Sequence, residues 1–198
     1  MKNEKLNKEE ILWKVNYKIL NVYLDFYRNE GYWLTTNKSW DLPRWNILGN
    51  VMISKKALQM FLENINLQKA SKAKDYGGRA GSRCFVAEHV VPFSVVKEQY
   101  LQKFKDKNPT YDQYRKFFLY FNRICYVWHK EDEHLKNIGL NHSVPNIDNL
   151  EKEIFERYEA ANIDPIQTKH LKGNELFKHL KYYRGEGYNF EKVIRLIT

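Results

Sequence analysis

Two adjacent ionisable residues, Glu88 and His89, stand near the end of a short apolar run over residues 84–92 and are the first candidates for chemistry. The β-branched and aromatic residues of this run favour a strand. Pro92 predicts that the strand ends between His89 and Val91, because proline cannot donate to a sheet ladder. Burying two ionisable side chains costs free energy unless they have partners. The pair therefore points to a metal ion, or to a water molecule that must lose a proton.

The elements that must position this pair follow from the spacing of apolar residues. A second β-prone run covers residues 124–128, and a helix is predicted from His129 until Gly139 stops it. Between the two strands, the spacing predicts helices over 95–104 and 111–120. The predicted order is strand, helical insertion, strand, helix.

Two short strands followed by a helix, with Glu-His ending the first strand and acidic residues and histidines opening the helix, resemble the ββα-metal finger of HNH nucleases. The resemblance covers residues 84–140 and includes a long insertion, since 33 positions separate His89 from Asn122. It implies that Glu88 binds a divalent metal ion, that His89 is the general base and that Asn122 orients this histidine.

The resemblance also implies a metal ligand on the helix of the finger. Glu131 and His134 lie three residues apart on one helical face, and Glu133 and His129 are the alternatives. Oxygen ligands favour Mg²⁺, with Mn²⁺ as the second choice, whereas a histidine ligand would also admit Zn²⁺. The expected reaction is hydrolysis of a phosphodiester by a water molecule that the histidine deprotonates, with the metal ion stabilising the negative charge that develops.

The charge of the chain predicts an anionic partner. The net charge is +9 and the pI is about 9.3, and residues 131–164 form an acidic stretch with 3 Lys or Arg against 9 Asp or Glu. Basic side chains surround the glycines of residues 69–83, a segment that suits contact with phosphate and leads directly into the first strand. The candidate DNA-binding residues are Lys72, Lys74, Arg79, Arg83 and Arg123.

The whole chain is predicted to be a mostly helical α+β protein that forms a single domain over residues 1–198. The ββα-metal-like finger occupies 84–140, between a helical part over 1–70 and another over 146–198. Further helices are predicted over 9–29, over 55–64 with Ser54 as N-cap, from Asn146 or Asp148 through 160, over 174–183 and over 189–197. We expect a cytoplasmic protein without membrane contact, since no apolar run approaches the roughly 20 residues that a membrane helix needs.

The resemblance implies a metal-dependent DNA endonuclease similar to a compact stand-alone restriction enzyme. Double-strand cleavage by such a chain needs two copies, so a homodimer on double-stranded DNA is expected. Two other functions stay open: a non-catalytic nucleic-acid-binding protein and an RNA-cleaving, toxin-like nuclease. Structural roles also stay open, because the acidic residues 131–133 would stabilise a helix N-terminus without any metal, and Asn122 would suit a turn.

Overall fold

A computed structural model describes residues 8–31, 51–63, 84–148, 150, 152–170, 173–183 and 187–198 of the chain. The chain divides into two units, Met1–Leu48 with Phe93–Asn122 and Gly49–Pro92 with Arg123–Thr198. The elements of the described residues are α1 (Lys8–Glu30), β1 (Met52–Ser54), α2 (Lys55–Glu63), β2 (Phe85–His89), α3 (Phe93–Phe104), α4 (Tyr111–Phe121), β3 (Ile124–Trp128), α5 (His129–Asn137), α6 (Glu156–Ala160), β4 (Pro165–Gln167), α7 (Gly173–Leu180), a 3₁₀ turn (Lys181–Tyr183) and α8 (Phe190–Ile197).

The first unit contains α1 together with α3 and α4, the two helices that come between β2 and β3 in the sequence. Aromatic residues form its interior, and the ring of Trp13 meets that of Tyr114 edge-on at 5.7 Å. The Tyr114 hydroxyl donates to Asn16 Oδ1 at 2.5 Å, which gives a buried polar pair its hydrogen bond. At the start of α4, Thr110 and Gln113 form a capping box, so the sequence defines this helix end locally.

The second unit contains a four-stranded sheet in the order β2-β3-β1-β4. β2 runs antiparallel to β3, β3 is parallel to β1, and β1 is antiparallel to β4. In the β2–β3 pair, Glu88 lies opposite Cys125 and His89 opposite Ile124. The predicted mostly helical α+β class is thereby confirmed. The predicted order of strand, helical insertion, strand and helix is observed along the chain as β2, α3 with α4, β3 and α5.

The core of the second unit lies between the sheet and the helices α2, α7 and α8. Phe61, Phe85 and Phe177 form a three-ring cluster with centroid distances of 5.2 to 5.9 Å, and Tyr126 meets Phe177 edge-on at 5.0 Å. Rings at these distances add to the free energy gained by burying apolar surface. The rings of Phe85 and Tyr126 thus lie on the face of the sheet that packs against α7.

Several element predictions are confirmed, and two strands were missed. Ser54 caps α2, because its Oγ accepts the Ala57 N–H at 3.0 Å, and α1 and α8 lie within a residue of their predicted ends. β1 and β4, of three residues each, were not predicted.

The predicted helix from Asn146 or Asp148 to residue 160 was wrong over its first part. In the described residues the helix begins only at Glu156, and turns precede it. The Asn146 side chain accepts the Asp148 N–H at 3.1 Å, which makes an Asx turn where a helix start was expected.

No helix in the described part of the chain is both long and apolar enough to cross a membrane.

Candidate active site

The Glu88-His89 pair lies where predicted, at the end of β2, and the strand ends at His89. The next residue still pairs with β3, because the Val90 N–H donates to the Arg123 carbonyl at 2.9 Å. The ladder with β3 therefore holds the backbone of both ionisable residues. Glu88 and His89 are thus the last two residues of the strand, as the sequence predicts.

The two side chains leave opposite faces of the strand, because successive residues of a strand alternate. His89 shares its face with Ala87, whose ladder partner Tyr126 packs on the α7 side of the sheet. Glu88 shares the other face with its partner Cys125. The Glu88 side chain is 19 % exposed and His89 is 5 % exposed. A reaction that uses both groups must therefore take place across the end of the strand.

A fully buried arginine braces this strand end. The Arg157 guanidinium donates from Nη2 to Glu88 Oε1 at 2.6 Å, from Nη1 to the His89 carbonyl at 2.6 Å and from Nε to the Leu140 carbonyl at 2.5 Å. The side chain of Arg157 has no exposed surface. A buried charge is tolerated only when it is paired and hydrogen-bonded, and these contacts satisfy both conditions.

The surroundings of Glu88 contain a second carboxylate, that of Asp132 on α5. Burial raises the pKa of Glu88 above its usual value, and the Asp132 charge adds to the rise, while Arg157 offsets part of it. Lys136 also lowers the Glu88 pKa, and its Nζ lies 2.5 Å from Asp132 Oδ2. Asp132 is only 8 % exposed. One further carboxylate, Asp132, and two cations, Arg157 and Lys136, thus act electrostatically on Glu88.

Glu131, the first candidate for the helix ligand, has a structural contact set. Its Oε2 accepts from the Ser54 hydroxyl at 2.5 Å and from the Trp128 N–H at 2.8 Å, so it ties α5 to the residue that caps α2. Burial raises the pKa of Glu131, and these two hydrogen bonds oppose the rise. Glu131 therefore caps the start of α5 in the described structure.

The other helix candidates are more open to solvent. His134 and Glu133 are exposed, and His129 is half-buried with its ring 5.0 Å from that of Trp128. Among the described residues, no group of three or more His, Cys, Asp or Glu side chains is arranged to hold a metal ion. The predicted set of Glu88, Glu131 and His134 is thus not brought together.

Asn122 is fully buried and ends α4, and its N–H donates to the Phe118 carbonyl at 2.8 Å. It is the last residue of the first unit. Its role toward His89 stays a prediction.

Of the candidate DNA-binding residues, Lys72, Lys74, Arg79 and Arg83 lie outside the described residues. Arg123 is half-buried and its guanidinium lies 5.9 Å from the centre of the Phe155 ring.

A basic and aromatic group that the sequence patterns did not indicate lies at the start of α5. Lys130 Nζ lies 5.0 Å and Lys56 Nζ 5.9 Å from the centre of the Trp128 ring, and both lysines are exposed. Cations stacked on an aromatic ring are a frequent element of nucleic-acid-binding surfaces. We call Lys56, Trp128 and Lys130 the lysine–tryptophan patch.

Arg157 and Asp132 were also missed as parts of the strand-end group. The only signal for Asp132 was its place in the first turn of α5, where an acidic residue is expected for electrostatic reasons alone. Arg157 gave no signal, since it stands in an acidic stretch 69 residues from Glu88.

Comparison of the chain with protein-family models, with curated proteins and with solved structures finds no match.

Proposed function

We propose that this chain is a metal-dependent DNA endonuclease whose active site lies at the carboxyl end of β2. The observation that carries the proposal is the presence of two little-exposed carboxylates, Glu88 at the end of β2 and Asp132 in the first turn of α5, where an antiparallel strand pair runs into that helix. The resemblance to the HNH finger adds the expected reaction, hydrolysis of a phosphodiester. The helix ligand expected at Glu131 or His134 is replaced in this proposal by Asp132.

The donor set fits a hard divalent cation such as Mg²⁺. Arg157 bonds to Oε1 of Glu88 and Lys136 to Oδ2 of Asp132, so within the described residues the second oxygen of each carboxylate has no hydrogen bond. Mg²⁺ is commonly held by one or two carboxylates and otherwise by water and substrate phosphate. A metal ion bound there would stabilise negative charge on the phosphate and on the leaving oxygen.

The remaining roles in the proposal are proton transfer from water, by His89, and positioning of the strand end, by Arg157. His89 accepts a proton from the attacking water, for which a neutral imidazole is suited near neutral pH. Arg157 holds the His89 carbonyl and the Glu88 carboxylate together, which fixes the strand end that both groups share. Because His89 is only 5 % exposed, the substrate water must reach it at the strand end.

Double-stranded DNA is the proposed substrate. The net charge of +9 favours contact with a phosphate backbone, and the lysine–tryptophan patch places two exposed cations beside the last residue of β3. We propose that Lys56 and Lys130 contact phosphates, together with the basic segment predicted from the sequence. Sequence-specific cleavage of the restriction type belongs to the same proposal.

The experiment uses the full chain, long linear duplex DNA and Mg²⁺ or Mn²⁺. We expect cleavage that excess EDTA stops, and discrete fragments if recognition is sequence-specific. His89→Ala and Asp132→Asn should each lower the cleavage rate by at least a hundredfold while a gel-shift assay still shows DNA binding. His142→Ala, at an exposed histidine of the same unit, is the matched control and should cleave normally.

Three results would refute parts of this proposal. Intact DNA under all of these conditions would exclude the enzyme. Cleavage by His89→Ala at the wild-type rate would remove the histidine from the mechanism, and cleavage in excess EDTA would remove the metal. Substitution of Glu88 is less informative here, because it leaves the buried Arg157 charge without its partner.

The proposed homodimer has a candidate surface on α1. Five apolar side chains recur on one face of this helix at steps of three or four residues and are 36 to 63 % exposed: Ile11, Val15, Ile19, Val22 and Phe26. The helix has 23 residues, and a helix of that length is about 35 Å long. A second copy of α1 is the proposed occupant, because double-strand cleavage needs two active sites.

Sedimentation of the full chain tests this surface. Val22→Asp should shift a dimer to the monomer, and Tyr182→Asp, at an apolar side chain in the other unit that is 85 % exposed, should not. A monomeric wild type, or a dimer that Val22→Asp leaves intact, would contradict the assignment.

A second function is favoured by one observation, the ion pair between Glu88 and the fully buried Arg157. If this ion pair serves only to brace the sheet, the chain binds nucleic acid through its basic surfaces without cutting it. DNA binding with intact DNA in every metal would support that function.

A further inference from the structure

The second unit contains two neighbouring histidines that have no role in the proposed hydrolysis. The rings of His170 and His179 have centroids 5.0 Å apart and an interplanar angle of 47°. His170 follows β4, and His179 is on α7. These residues give the chain a second cluster of possible metal ligands.

Both histidines stand on firmly held backbone. The His170 carbonyl accepts the Val51 N–H at 2.9 Å, and its own N–H donates to the Thr168 hydroxyl at 3.3 Å. α7 is anchored by the buried side chains of Leu176, Phe177 and Leu180. The two rings are therefore presented by elements that the core of this unit fixes.

The Nε2 atoms of both rings are buried, and neither has a hydrogen-bond partner among the described residues. A buried polar atom without a partner costs free energy, so such atoms are rare and require an explanation. Here two of them belong to neighbouring rings. A cation between the rings would satisfy both nitrogens at once.

The ring separation agrees with this explanation. A Zn²⁺ ion lies about 2.0–2.1 Å from a histidine nitrogen, which places it roughly 3.2 Å from the ring centre. Two rings that meet at a tetrahedral angle then have centres about 5.2 Å apart, and the observed separation is 5.0 Å. Ordinary aromatic contacts have the same centroid separation, so the main evidence for a bound cation is the pair of buried Nε2 atoms without hydrogen bonds.

Electrostatics favour the form of histidine that binds metals. Burial lowers the pKa of His170, and the neighbouring His179 and Lys169 lower it further. A neutral imidazole keeps the lone pair that a cation needs. Glu175, one helical turn before His179, acts on His170 with its negative charge and is exposed.

We propose that His170 and His179 bind a divalent transition-metal ion of the Zn²⁺ type through their Nε2 atoms. Water and, after a change of side-chain rotamer, Glu175 complete its coordination. Imidazole ligands suit Zn²⁺, whereas the carboxylate oxygens at Glu88 and Asp132 suit Mg²⁺. The bound ion would link the segment after β4 to α7, so its role is structural and separate from hydrolysis.

The test is a titration of the full chain with Zn²⁺ by calorimetry, in excess Mg²⁺ so that the carboxylate site is saturated. We expect one Zn²⁺ per chain, and at least tenfold weaker binding in His170→Gln and in His179→Gln. His142→Gln is the matched control, and Asp132→Asn separates this site from the proposed catalytic one. Both should bind Zn²⁺ as the wild type does.

A measurement on the wild type avoids any effect of substitution on folding. In an NMR spectrum that correlates the histidine ring nitrogens, Zn²⁺ should shift the Nε2 signals of two histidines, assigned by the loss of one in each variant. Absence of Zn²⁺ binding would overturn the proposal. So would binding that both variants retain, or that Asp132→Asn abolishes.

Discussion

Replacement of Arg157 by Met tests whether the buried guanidinium holds the end of β2. The substitution keeps much of the side-chain volume and removes one ion pair and hydrogen bonds to three backbone carbonyls. Glu88 would keep its burial, with 19 % of its side chain exposed, and lose its nearest cation. Removing one partner of a buried pair costs about 3–5 kcal/mol, and the unpaired carbonyls add to this. Apolar packing of the Met side chain offsets about 1–2 kcal/mol.

We therefore expect Arg157→Met to lower the free energy of unfolding by about 4 kcal/mol, a large share of the 5–15 kcal/mol typical of a domain. Urea titration followed by circular dichroism measures the loss. Because the chain divides into two units, hydrogen exchange of the β3 amides should be measured as well, to place the loss in the unit that contains Arg157.

Two further variants make the prediction specific. Arg195→Met, at an exposed arginine of the same unit, should change stability by less than about 0.5 kcal/mol. The double variant Glu88→Met with Arg157→Met should be more stable than Arg157→Met alone, because no charge is then left buried without a partner. A loss below about 1 kcal/mol in Arg157→Met would refute the proposed brace.

Two other substitutions test the same region. Glu88→Gln should remove a pH dependence of the stability. Because the pKa of Glu88 is raised in the folded chain, the wild type loses stability as the pH rises from 4.5 to the folded-state pKa, and the variant should gain stability relative to the wild type over that range. Equal pH profiles in urea titrations would contradict this. Ser54→Ala should cost about 2 kcal/mol in a urea titration, since Ser54 both caps α2 and donates to Glu131, and a cost below about 0.5 kcal/mol would show that neither bond matters.

The sequence predicted the elements that carry a strong local pattern. The β-branched and aromatic runs of β2 and β3, the periodicity of α1 and the Ser54 cap are local signals, and the structure confirms each of them. β1 and β4 have three residues each, too few for a periodic pattern. β4 even begins with Pro165, which counts against a strand, but an edge strand tolerates proline, and β4 is at the edge of the sheet.

Only the part of the candidate site that is formed by residues adjacent in the sequence could be predicted. The Glu88-His89 pair was identified because adjacent residues at a strand end form a visible pattern. Arg157 could not be identified, since its partner is 69 residues away and its own neighbours in sequence are acidic. The capping contacts of Glu131 could not be predicted for a related reason. Spacing along a helix does not show which acidic residue points to the strand and which one caps the helix, and Glu131 is the one that caps.

The brace and the proposed metal site place opposite demands on Glu88. The Arg157 charge compensates that of the Glu88 carboxylate, and this ion pair holds the strand end without a metal ion. Burial and the nearby Asp132 raise the Glu88 pKa, which means that negative charge is unfavourable there unless further positive charge is present. A divalent cation would supply that charge, and Mg²⁺ should therefore lower the pKa of Glu88 and raise the stability of the folded chain. The purely structural function predicts neither effect, so the response of stability to Mg²⁺ separates the two functions even without a cleavage assay.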